Sequence, residues 1–586
     1  MNIGINHYHL ATRSFLSTVT TLTLLFNPGR SPQNGAGNLY FAPSSSSSPS
    51  IANPDSTIVV NSTADAPDAD PANGLCAAAG GACTLRAAIM EANFTPAADT
   101  ITLPSGVYLL TRVGIDDIAL VGDLDITEPI TITGAGAGVT IVDGNGAVTG
   151  DRVFQMLYDA YQVNLSGMTI RNGSVPTSSG GGILFYNSGG FFPFLNLNNV
   201  VLEGNHAGAG AGLNALNVYV GLQNTTVRNN TTTDSGNGDG GGIFLASSTL
   251  TMRDSQVYNN SAVRGGGVAL SSVPIARIEH SEIYSNTALD TGGGIYNDPN
   301  SPLTILNSYL HNNNAGSNGG AITIYTTLVI SDTVLEANHA ALKGGGIFTV
   351  PSSNNNQSIS GSTFSHNTAQ YGGAIAYENL VSTNLILTLV NSTLSGNSVS
   401  HDGAGIYATN TANIQLYNVT IANNVLSRLI GTFNPMRGGG VFFIDTSVIT
   451  AQNTLIADNY YTNNSSIATP DDCYNTQTTN SLNSLGWNLI ETTSNCLISG
   501  TTFGNITGQD PHLGPLGLNF GATPTQALLL GSPAIDAGHQ PSCTDGNGAA
   551  ITTDQRGFAR PGGAYCDIGA FEYYPVYSAF LPVVQR

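Results

Sequence analysis

The amino-acid sequence predicts an all-β parallel solenoid, a fold in which each repeat forms one coil and successive coils pair as parallel strands. Between Gly180 and Asn459 the chain repeats a two-part unit ten times, with a step of 25 to 35 residues. Each unit holds a Gly-rich turn that leads into an aliphatic residue, and a short strand that ends in Asn. A period of this length is typical of repeat architectures, and the alternation of apolar and polar residues is that of a half-buried strand.

The apolar residue three positions before each closing Asn marks the inside of the coil, and none of these ten residues is polar. No unit carries apolar residues at helical spacing, which excludes helical repeats. We expect the closing asparagines to stack at a corner and to hydrogen-bond to one another and to the turn backbone, with a ligand-binding row as the alternative. They are Asn205, Asn230, Asn260, Asn286, Asn313, Asn338, Asn367, Asn397, Asn424 and Asn459.

The composition indicates which partners to exclude. Charged residues make up 9% of the chain, and 16 basic residues face 37 acidic ones, with Lys343 the only lysine. A net charge of -21 makes nucleic acid a poor partner. The chain has no apolar run of about 18 residues, so we expect no transmembrane span. We also expect a monomer.

The N-terminal segment, residues 1–54, has the features of a signal segment and a linker. Arg13 precedes a modest apolar stretch over residues 15–26, which resembles a signal-peptide core, and the alternative is an unstructured start. From residue 27 the chain is rich in Pro, Ser and Gly, which is typical of a flexible linker.

Six cysteines fall into three local couples outside the regular repeats. Proximity alone suggests the pairing, because six cysteines allow 15 connectivities. Metal ligation is the alternative, but no couple has CxxC spacing, and we expect no metal site. Disulfide bonds indicate a compartment outside the cytoplasm. The predicted pairs are Cys76 with Cys83, Cys473 with Cys496, and Cys543 with Cys566.

Two flanking regions resemble those of known exported proteins. Residues 55–135 include LRAAIMEAN, an amphipathic helix that we expect to cap the open end of the core. Its segment CTLRAAI resembles the CSLREA motif of bacterial exported β-helix proteins, with Thr84 in place of Ser and Ala87 in place of Glu. Residues 471–574, with the phrases SLGWNLI, SPAIDAG, TDQRGFARP and CDIGAFEY, resemble the choice-of-anchor Q region of the same proteins.

The repeats between these regions, over residues 136–470, look like the right-handed parallel β-helix of the pectin-lyase-like superfamily. These resemblances imply an extracellular protein, secreted by a bacterium or held at its surface. The predicted fold is thus a right-handed parallel β-helix of roughly 10–12 coils. A helical cap precedes the coils, and an irregular, disulfide-stapled C-terminal region and a tail over residues 575–586 follow them.

The position four residues before each post-Gly aliphatic forms a column along the predicted solenoid, here called the polar column. It runs Ser179, Ala209, Asp239, Arg264, Thr291, Asn318, Lys343, Tyr371, Asp402 and Arg437. Neighbouring coils lie ~4.8 Å apart, so its members should be in contact or nearly so. The alternative to a glycan-binding groove is a set of exposed salt bridges, in which each Arg pairs with the acid beside it. The ligand-binding candidates are Asp239, Arg264, Lys343, Tyr371, Asp402 and Arg437.

Two classes of function remain open from the sequence. A non-enzymatic surface or secreted module, acting in adhesion or in contact with a polysaccharide or cell-surface glycan, is favoured because the coils are regular and carry no clustered carboxylates. The alternative is a polysaccharide lyase or glycoside hydrolase, as the pectin-lyase-like resemblance implies. A lyase would need a base and carboxylates that hold Ca²⁺, and a hydrolase would need two carboxylates. The sequence identifies no catalytic residue and no cofactor, apart from Ca²⁺ in the case of a lyase.

Overall fold

The computed structural model describes residues 57–575, apart from 96–97, 158–159, 234–237, 352–355, 381–384, 428–436, 463–467, 476–479 and 546–547. The predicted signal segment and linker lie outside the described residues, as does the tail after residue 575. The predicted fold class is confirmed: the chain is an all-β parallel solenoid of about 12 turns with almost no helix. Its coils are built from three sheets that run along the solenoid, the third from Ser174 onwards, and all but one pairing within these sheets is parallel.

The first sheet contains one strand from each coil. Each aliphatic residue that follows a Gly-rich turn begins one of its strands, as at Ile243 and Ile347. The glycine three residues earlier has a positive φ at all ten turns, for example +64° at Gly240, a backbone conformation that favours Gly. The strands are Leu124–Ile126, Phe154–Met156, Ile183–Tyr186, Leu213–Leu216, Ile243–Ala246, Val268–Ser271, Ile295–Asn297, Ile322–Ile324, Ile347–Thr349, Ile375–Asn379, Ile406–Asn410, Val441–Phe443 and Cys473–Asn475.

The second sheet is the largest, because most coils contribute two strands that meet at a corner. Its strands are Thr57–Val59, Asp99–Leu103, Gly106–Leu109, Ile130–Gly134, Thr140–Asp143, Gln162–Arg171, Phe194–Glu203, Tyr219–Gln223, Thr226–Arg228, Thr249–Arg253, Gln256–Tyr258, Ile275–Glu279, Glu282–Tyr284, Leu303–Leu306, Tyr309–His311, Leu328–Ser331, Val334–Glu336, Gln357–Ser360, Thr363–Ser365, Ile386–Val390, Thr393–Ser395, Asn413–Tyr417, Thr420–Ala422, Val448–Gln452, Leu455–Ala457, Leu482–Ser484, Leu489–Ile490, Ile498–Gly500 and Ile506–Thr507.

The third sheet follows the asparagine corner and leads back to the Gly-rich turn. Its strands are Ser174–Ser179, His206–Ala209, Thr231–Thr232, Ser261–Ala262, Thr287–Ala288, Asn314–Ala315, His339–Ala340, Thr368–Tyr371, Ser398–Asp402, Val425–Ser427, Tyr460–Thr462 and Ala468–Pro470. A separate antiparallel hairpin pairs Leu513–Gly517 with Thr525–Leu528.

The closing asparagines form a buried ladder, as predicted. Asn338 is typical: its side-chain Nδ2 donates to the Leu310 carbonyl at 2.9 Å and to Oδ1 of Asn367 in the next coil at 2.9 Å. The ladder ends where Asn459 Nδ2 donates to Oδ1 of Asp472 at 2.9 Å. A carboxylate suits this last position because it accepts hydrogen bonds and has none to donate.

The N-terminal helix, Leu85–Ala92, which the sequence predicted as an amphipathic cap, is buried along its whole length. The burial includes the charged residue Arg86. The guanidinium of Arg86 lies 2.5 Å from Asp65 and donates to the carbonyl oxygens of Gly122 and Asp123 at 2.8 and 2.9 Å. Burial is therefore compatible with the charge, because the donors of Arg86 are hydrogen-bonded. A second, four-residue helix spans Gly146–Thr149.

All three predicted disulfide pairs are present. Their Cα atoms are 5.1 Å apart in Cys76–Cys83, 5.2 Å apart in Cys473–Cys496, and 5.8 Å apart in Cys543–Cys566. Coil strands continue as far as Thr507, beyond residue 470, where the sequence placed the end of the repeats. Two of the three disulfides thus lie in the last coils and in the region that follows them.

Residues 508–575, here called the C-terminal lobe, fold back onto the outer face of the second sheet. Thr523 Oγ1 donates to the Gly361 carbonyl at 2.8 Å, and Gln555 Nε2 donates to Thr363 Oγ1 at 2.8 Å. Further along, the Ala570 backbone N–H donates to Oγ1 of Thr420 at 2.9 Å. The lobe therefore covers the coils from residue 361 onwards on this face of the solenoid.

Candidate functional site

The structure stacks the polar column in the register that the sequence predicted. Asp239 bridges to Arg264 in the next coil, Lys343 bridges to Tyr371, and Tyr371 pairs with Asp402. The column lies at the end of the third sheet, directly before the Gly-rich turn that opens the first sheet. Whether it binds a ligand stays a prediction.

Asp239 and Arg264 form a bidentate ion pair. Arg264 Nε and Nη2 donate to the two carboxylate oxygens of Asp239, each at 2.7 Å. The guanidinium also lies 4.9 Å from the ring centre of Tyr296. Burial raises the pKa of Asp239, and the hydrogen bonds from Arg264 offset only part of this rise. The basic group of this pair is thus already engaged by a carboxylate and a ring.

The other basic members of the column are engaged in similar ways. Lys343 Nζ donates to Glu378 at 2.6 Å. The Arg437 backbone N–H, and not its guanidinium, donates to Asp402 at 2.9 Å, while the guanidinium lies 5.3 Å from the Tyr474 ring centre. The charges of the column are largely compensated within the protein, so binding of an acidic glycan here would have to compete with these internal contacts.

A second candidate site, which the sequence reasoning missed, lies where the two strands of each coil meet in the second sheet. The corner residues have a left-handed backbone, with φ between 45° and 50°. Asn and Asp tolerate this conformation better than most residues. Stacked over five coils, they form the floor of what we call the corner groove. The corner residues are Asn224, Asp254, His280, Asn307 and Asp332.

The corner groove contains two cavities, of about 570 and 390 Å³. They share His280 and Glu282, so they form one continuous depression. At the ~4.8 Å coil spacing, five corners extend over about 19 Å. The larger cavity is closed on one side by Leu518, Ala522 and Pro524 of the C-terminal lobe. The groove is therefore open towards the N-terminal coils and bounded by the lobe at its other end.

The lining of the groove is acidic and rich in hydroxyl and amide groups. Four of its residues are carboxylates, namely Asp254, Glu282, Asp332 and Glu336, and the described lining includes neither Lys nor Arg. The negative potential of this acidic lining repels anionic ligands and accommodates neutral or cationic ones.

All four carboxylates have neighbouring side chains as hydrogen-bond partners: Gln223 donates to Asp254 at 2.8 Å, and Ser331 donates to Asp332 at 2.6 Å. His311 Nε2 lies 2.8 Å from Oε1 of Glu282, and the Tyr309 hydroxyl donates to Glu336. Burial, followed by the bond to Glu336, raises the pKa of Tyr309, so this hydroxyl remains a donor. These contacts orient the carboxylates along the wall of the groove.

A ladder of stacked rings runs beside the groove on the second strand of each coil. The ring centres of Tyr258 and Tyr284 are 4.6 Å apart, and those of Tyr284 and His311 are 4.9 Å apart. The equivalent position holds Ser365, and then Ser395, where the C-terminal lobe covers the coils. Large side chains therefore mark the open part of this face, and small ones mark the covered part.

This change from large to small side chains is visible in the sequence, at the second position of the four residues that close each strand. The segments VRNN, VYNN, IYSN, LHNN and LEAN are followed by FSHN, LSGN and IANN. The small side chains could have indicated that another part of the protein packs against the later coils. The sequence does not show what packs there, because the lobe residues that do so are about 160 positions further along the chain.

The described part of the chain contains no cluster of three or more His, Cys, Asp or Glu side chains that could hold a metal ion. Within the same residues, no helix has the length and apolar character needed to cross a membrane.

Comparison with known proteins relates the coils to a described family. Residues 152–329, and in an overlapping match residues 221–389, fit the family model of a right handed beta helix region. A metabotropic glutamate receptor-like protein R of Dictyostelium discoideum is 30% identical over 164 residues, which make up 27% of this chain and 10% of that protein. The chain thus spans about a tenth of the length of this relative.

Among solved structures, a pectate lyase, Pel9A, aligns with 89% of this chain and 97% of its own, at 13% identity and a TM-score of 0.28. A likeness at that level has no bearing on function. The family match and the parallel stacking of the coils together show that the repeats form a right-handed β-helix.

Proposed function

We propose that this protein is an exported, non-enzymatic module that contacts neutral glycans, of a cell surface or of a polysaccharide matrix, through the corner groove. The observation that carries the proposal is the lining of the groove, which combines carboxylate, amide and hydroxyl groups with an apolar wall and has neither Lys nor Arg among its described members.

The chemistry of a neutral sugar matches this lining. The oxygens of Glu282, Asp332 and Asn307 can accept hydrogen bonds from sugar hydroxyls, and the Asn307 amide can donate one. Val334 and Pro524 provide apolar surface for the C–H faces of the ring. Ligand pockets commonly combine apolar surface with a few polar groups in this way. A uronic-acid polymer is disfavoured, because the groove and the whole chain, with a net charge of -21, are acidic.

Export is supported by the covalent structure. All six cysteines form disulfides, and such bonds persist mainly outside the reducing cytoplasm. The resemblance of CTLRAAI to the CSLREA motif, and of residues 471–574 to the choice-of-anchor Q region, points in the same direction and to a bacterial source. Adhesion to a glycan-coated surface would fit a solenoid of about 12 turns, which presents many equivalent positions along one face.

A binding role is favoured over catalysis because the three carboxylates that line the larger cavity all have hydrogen-bond partners within the protein. A glycoside hydrolase needs one carboxyl group that donates a proton and another that activates water or attacks the sugar. A lyase would need a base against an acidic substrate, together with Ca²⁺, and the groove offers no Lys or Arg among its described lining residues.

A glycan panel tests the proposal. Neutral hexasaccharides of glucose, mannose and N-acetylglucosamine should bind the full chain, whereas polygalacturonate should not. The double variant Glu282→Gln, Glu336→Gln should weaken binding about tenfold or more, because it removes charge-assisted acceptors. Asp290→Asn is the matched control. Asp290 is an exposed carboxylate two residues after the third-sheet strand Thr287–Ala288, and this variant should bind as the parent does.

The same panel shows which part of the proposal fails. Release of reducing ends, or a rise in absorbance from unsaturated uronates, would show catalysis and contradict the non-enzymatic role. Preferential binding of polygalacturonate, or equal loss in Asp290→Asn and in the double variant, would contradict the corner groove as the site.

A further inference from the structure

The turn between the two strands of the C-terminal hairpin has an unusual backbone. It connects Leu513–Gly517 to Thr525–Leu528, and at its tip Asn519 and Phe520 have φ values of 47° and 70°. Asn adopts the left-handed region fairly often, but a bulky residue such as Phe seldom does. The conformation at Phe520 is strained, and strain of this kind persists only where the surroundings enforce it.

The surroundings of the turn do enforce it. Asn519 Nδ2 donates to the carbonyl of Thr525 at 2.8 Å and to its Oγ1 at 3.1 Å. Arg556 Nη1 donates to the Asn519 carbonyl at 3.2 Å, and the Gly521 backbone N–H donates to the Leu518 carbonyl at 2.7 Å. A Cβ on Gly521 would come within 2.7 Å of Cγ of Arg556, so the turn is also tightly packed on that side.

Phe520, at the tip of this anchored turn, projects into solvent. It is 94% exposed, although a large apolar side chain loses favourable burial in that position. The residues two positions before and after it, Leu518 and Ala522, line the larger cavity of the corner groove. The chain thus holds an exposed ring, on a strained and well-anchored turn, at the end of the groove.

We infer that Phe520 is a ligand-binding residue of the corner groove and that its ring packs against the C–H face of a neutral hexopyranose unit at the lobe end of the groove. The inference rests on the proposed function and extends it to a specificity-determining contact. Phe520 itself faces solvent, so a ligand is the partner that would cover its ring.

A pyranose unit suits both parts of this end of the groove. Its hydroxyl rim can bind the polar side, where Asn307 and Asp332 lie, and its apolar face can cover an aromatic ring. The lobe wall also stops the groove at this point. A sugar that packs on Phe520 is therefore the unit of the glycan that lies closest to the lobe.

The experiment compares four variants of the full chain by titration calorimetry with the same three neutral hexasaccharides. Phe520→Ala should weaken binding about fivefold or more, and Phe520→Trp, which keeps a flat ring, should retain most of the affinity. Phe520→Gly should lose binding as Phe520→Ala does, with an unchanged or higher Tm, because Gly adopts a positive φ without strain. Phe191→Ala, at a ring that is 88% exposed in the loop before the strand Phe194–Glu203, is the matched control and should bind normally.

The outcomes separate this inference from the proposed function. Parent-like affinity in Phe520→Ala or Phe520→Gly would overturn the role of the ring. If the Glu282→Gln, Glu336→Gln variant still bound more weakly in that case, the corner groove would remain the binding site. Equal weakening in Phe520→Trp and Phe520→Ala would also overturn the role of the ring. If the parent bound an oligolysine peptide and none of the hexasaccharides, both the inference and the proposed function would be wrong.

Discussion

Replacing Asn338 by alanine should strongly destabilise the solenoid, because this side chain is fully buried and connects three coils. Its Oδ1 accepts from the backbone N–H and the Nδ2 of Asn313, both at 3.0 Å. Its Nδ2 donates to the Leu310 carbonyl and to Oδ1 of Asn367, both at 2.9 Å. Alanine provides none of these four contacts, and the site is fully buried in the parent.

The magnitude follows from the groups left unpaired. The truncation leaves the Leu310 carbonyl, the Asn313 backbone N–H and one Nδ2 hydrogen of Asn313 without their partners. Each buried unsatisfied group costs about 1–3 kcal/mol, so the free energy of unfolding should fall by at least about 3 kcal/mol. Asn314, one position after the ladder member of the preceding coil, is exposed, and Asn314→Ala should cost no more than about 0.5 kcal/mol.

Urea unfolding measures the difference, and hydrogen exchange locates it. The midpoint for Asn338→Ala should lie well below those of the parent and of Asn314→Ala. Because a solenoid couples mainly neighbouring coils, exchange should rise first at residues 310–313 and 338–367. If Asn338→Ala and Asn314→Ala shifted the midpoint equally, the ladder would contribute no more than a surface amide, and the reasoning would be refuted.

Three further predictions concern the core, the disulfides and the pH dependence. Leu335→Asp, at a fully buried position, should unfold the coil or lower Tm far more than Leu342→Asp at an exposed one, and equal Tm values would mean that the inside and outside of the coil are reversed. The Cys543→Ser, Cys566→Ser variant should lose about 2–5 kcal/mol in urea unfolding, and free thiols or bound zinc in the native parent would contradict the pairing. Burial raises the pKa of Asp472 to about 7, against about 3.9 in an unfolded chain, so the folded state binds more protons between these values and its stability should fall as pH rises from about 4 to 8. Tm measured across that range checks the sign, and a Tm that rose with pH would contradict it.

The repeat period alone determined much of the fold. The apolar position before each Asn, the Asn ladder and the register of the polar column all depend on how one coil stacks on the next. A stacked parallel coil brings equivalent positions together at a fixed spacing, so a linear pattern in the sequence becomes a column in space. The three disulfides were predictable for a similar reason, since the paired cysteines are only 7 or 23 residues apart.

Only the tertiary structure revealed which groups pair with the basic side chains of the polar column and of the N-terminal helix. Lys343 pairs with Glu378, and the Arg437 guanidinium lies over Tyr474, residues outside the column that the periodic pattern did not single out. Arg86 is buried because carbonyl groups from a loop more than 30 residues away receive its hydrogen bonds. In each case the partner is set by side-chain geometry across elements, and residue type and spacing do not encode it.

The corner groove was likewise decided by tertiary structure. Its floor is periodic, and the sequence contains the change from large to small side chains along it. Its end wall and Phe520 come from a lobe that docks about 160 residues back along the chain. That docking depends on the fit of two irregular surfaces, as where Gln555 reaches Thr363, and such a fit leaves no period in the sequence. The sequence by itself therefore determined the coils, and the folding back of the lobe decided which part of their surface is open to a ligand.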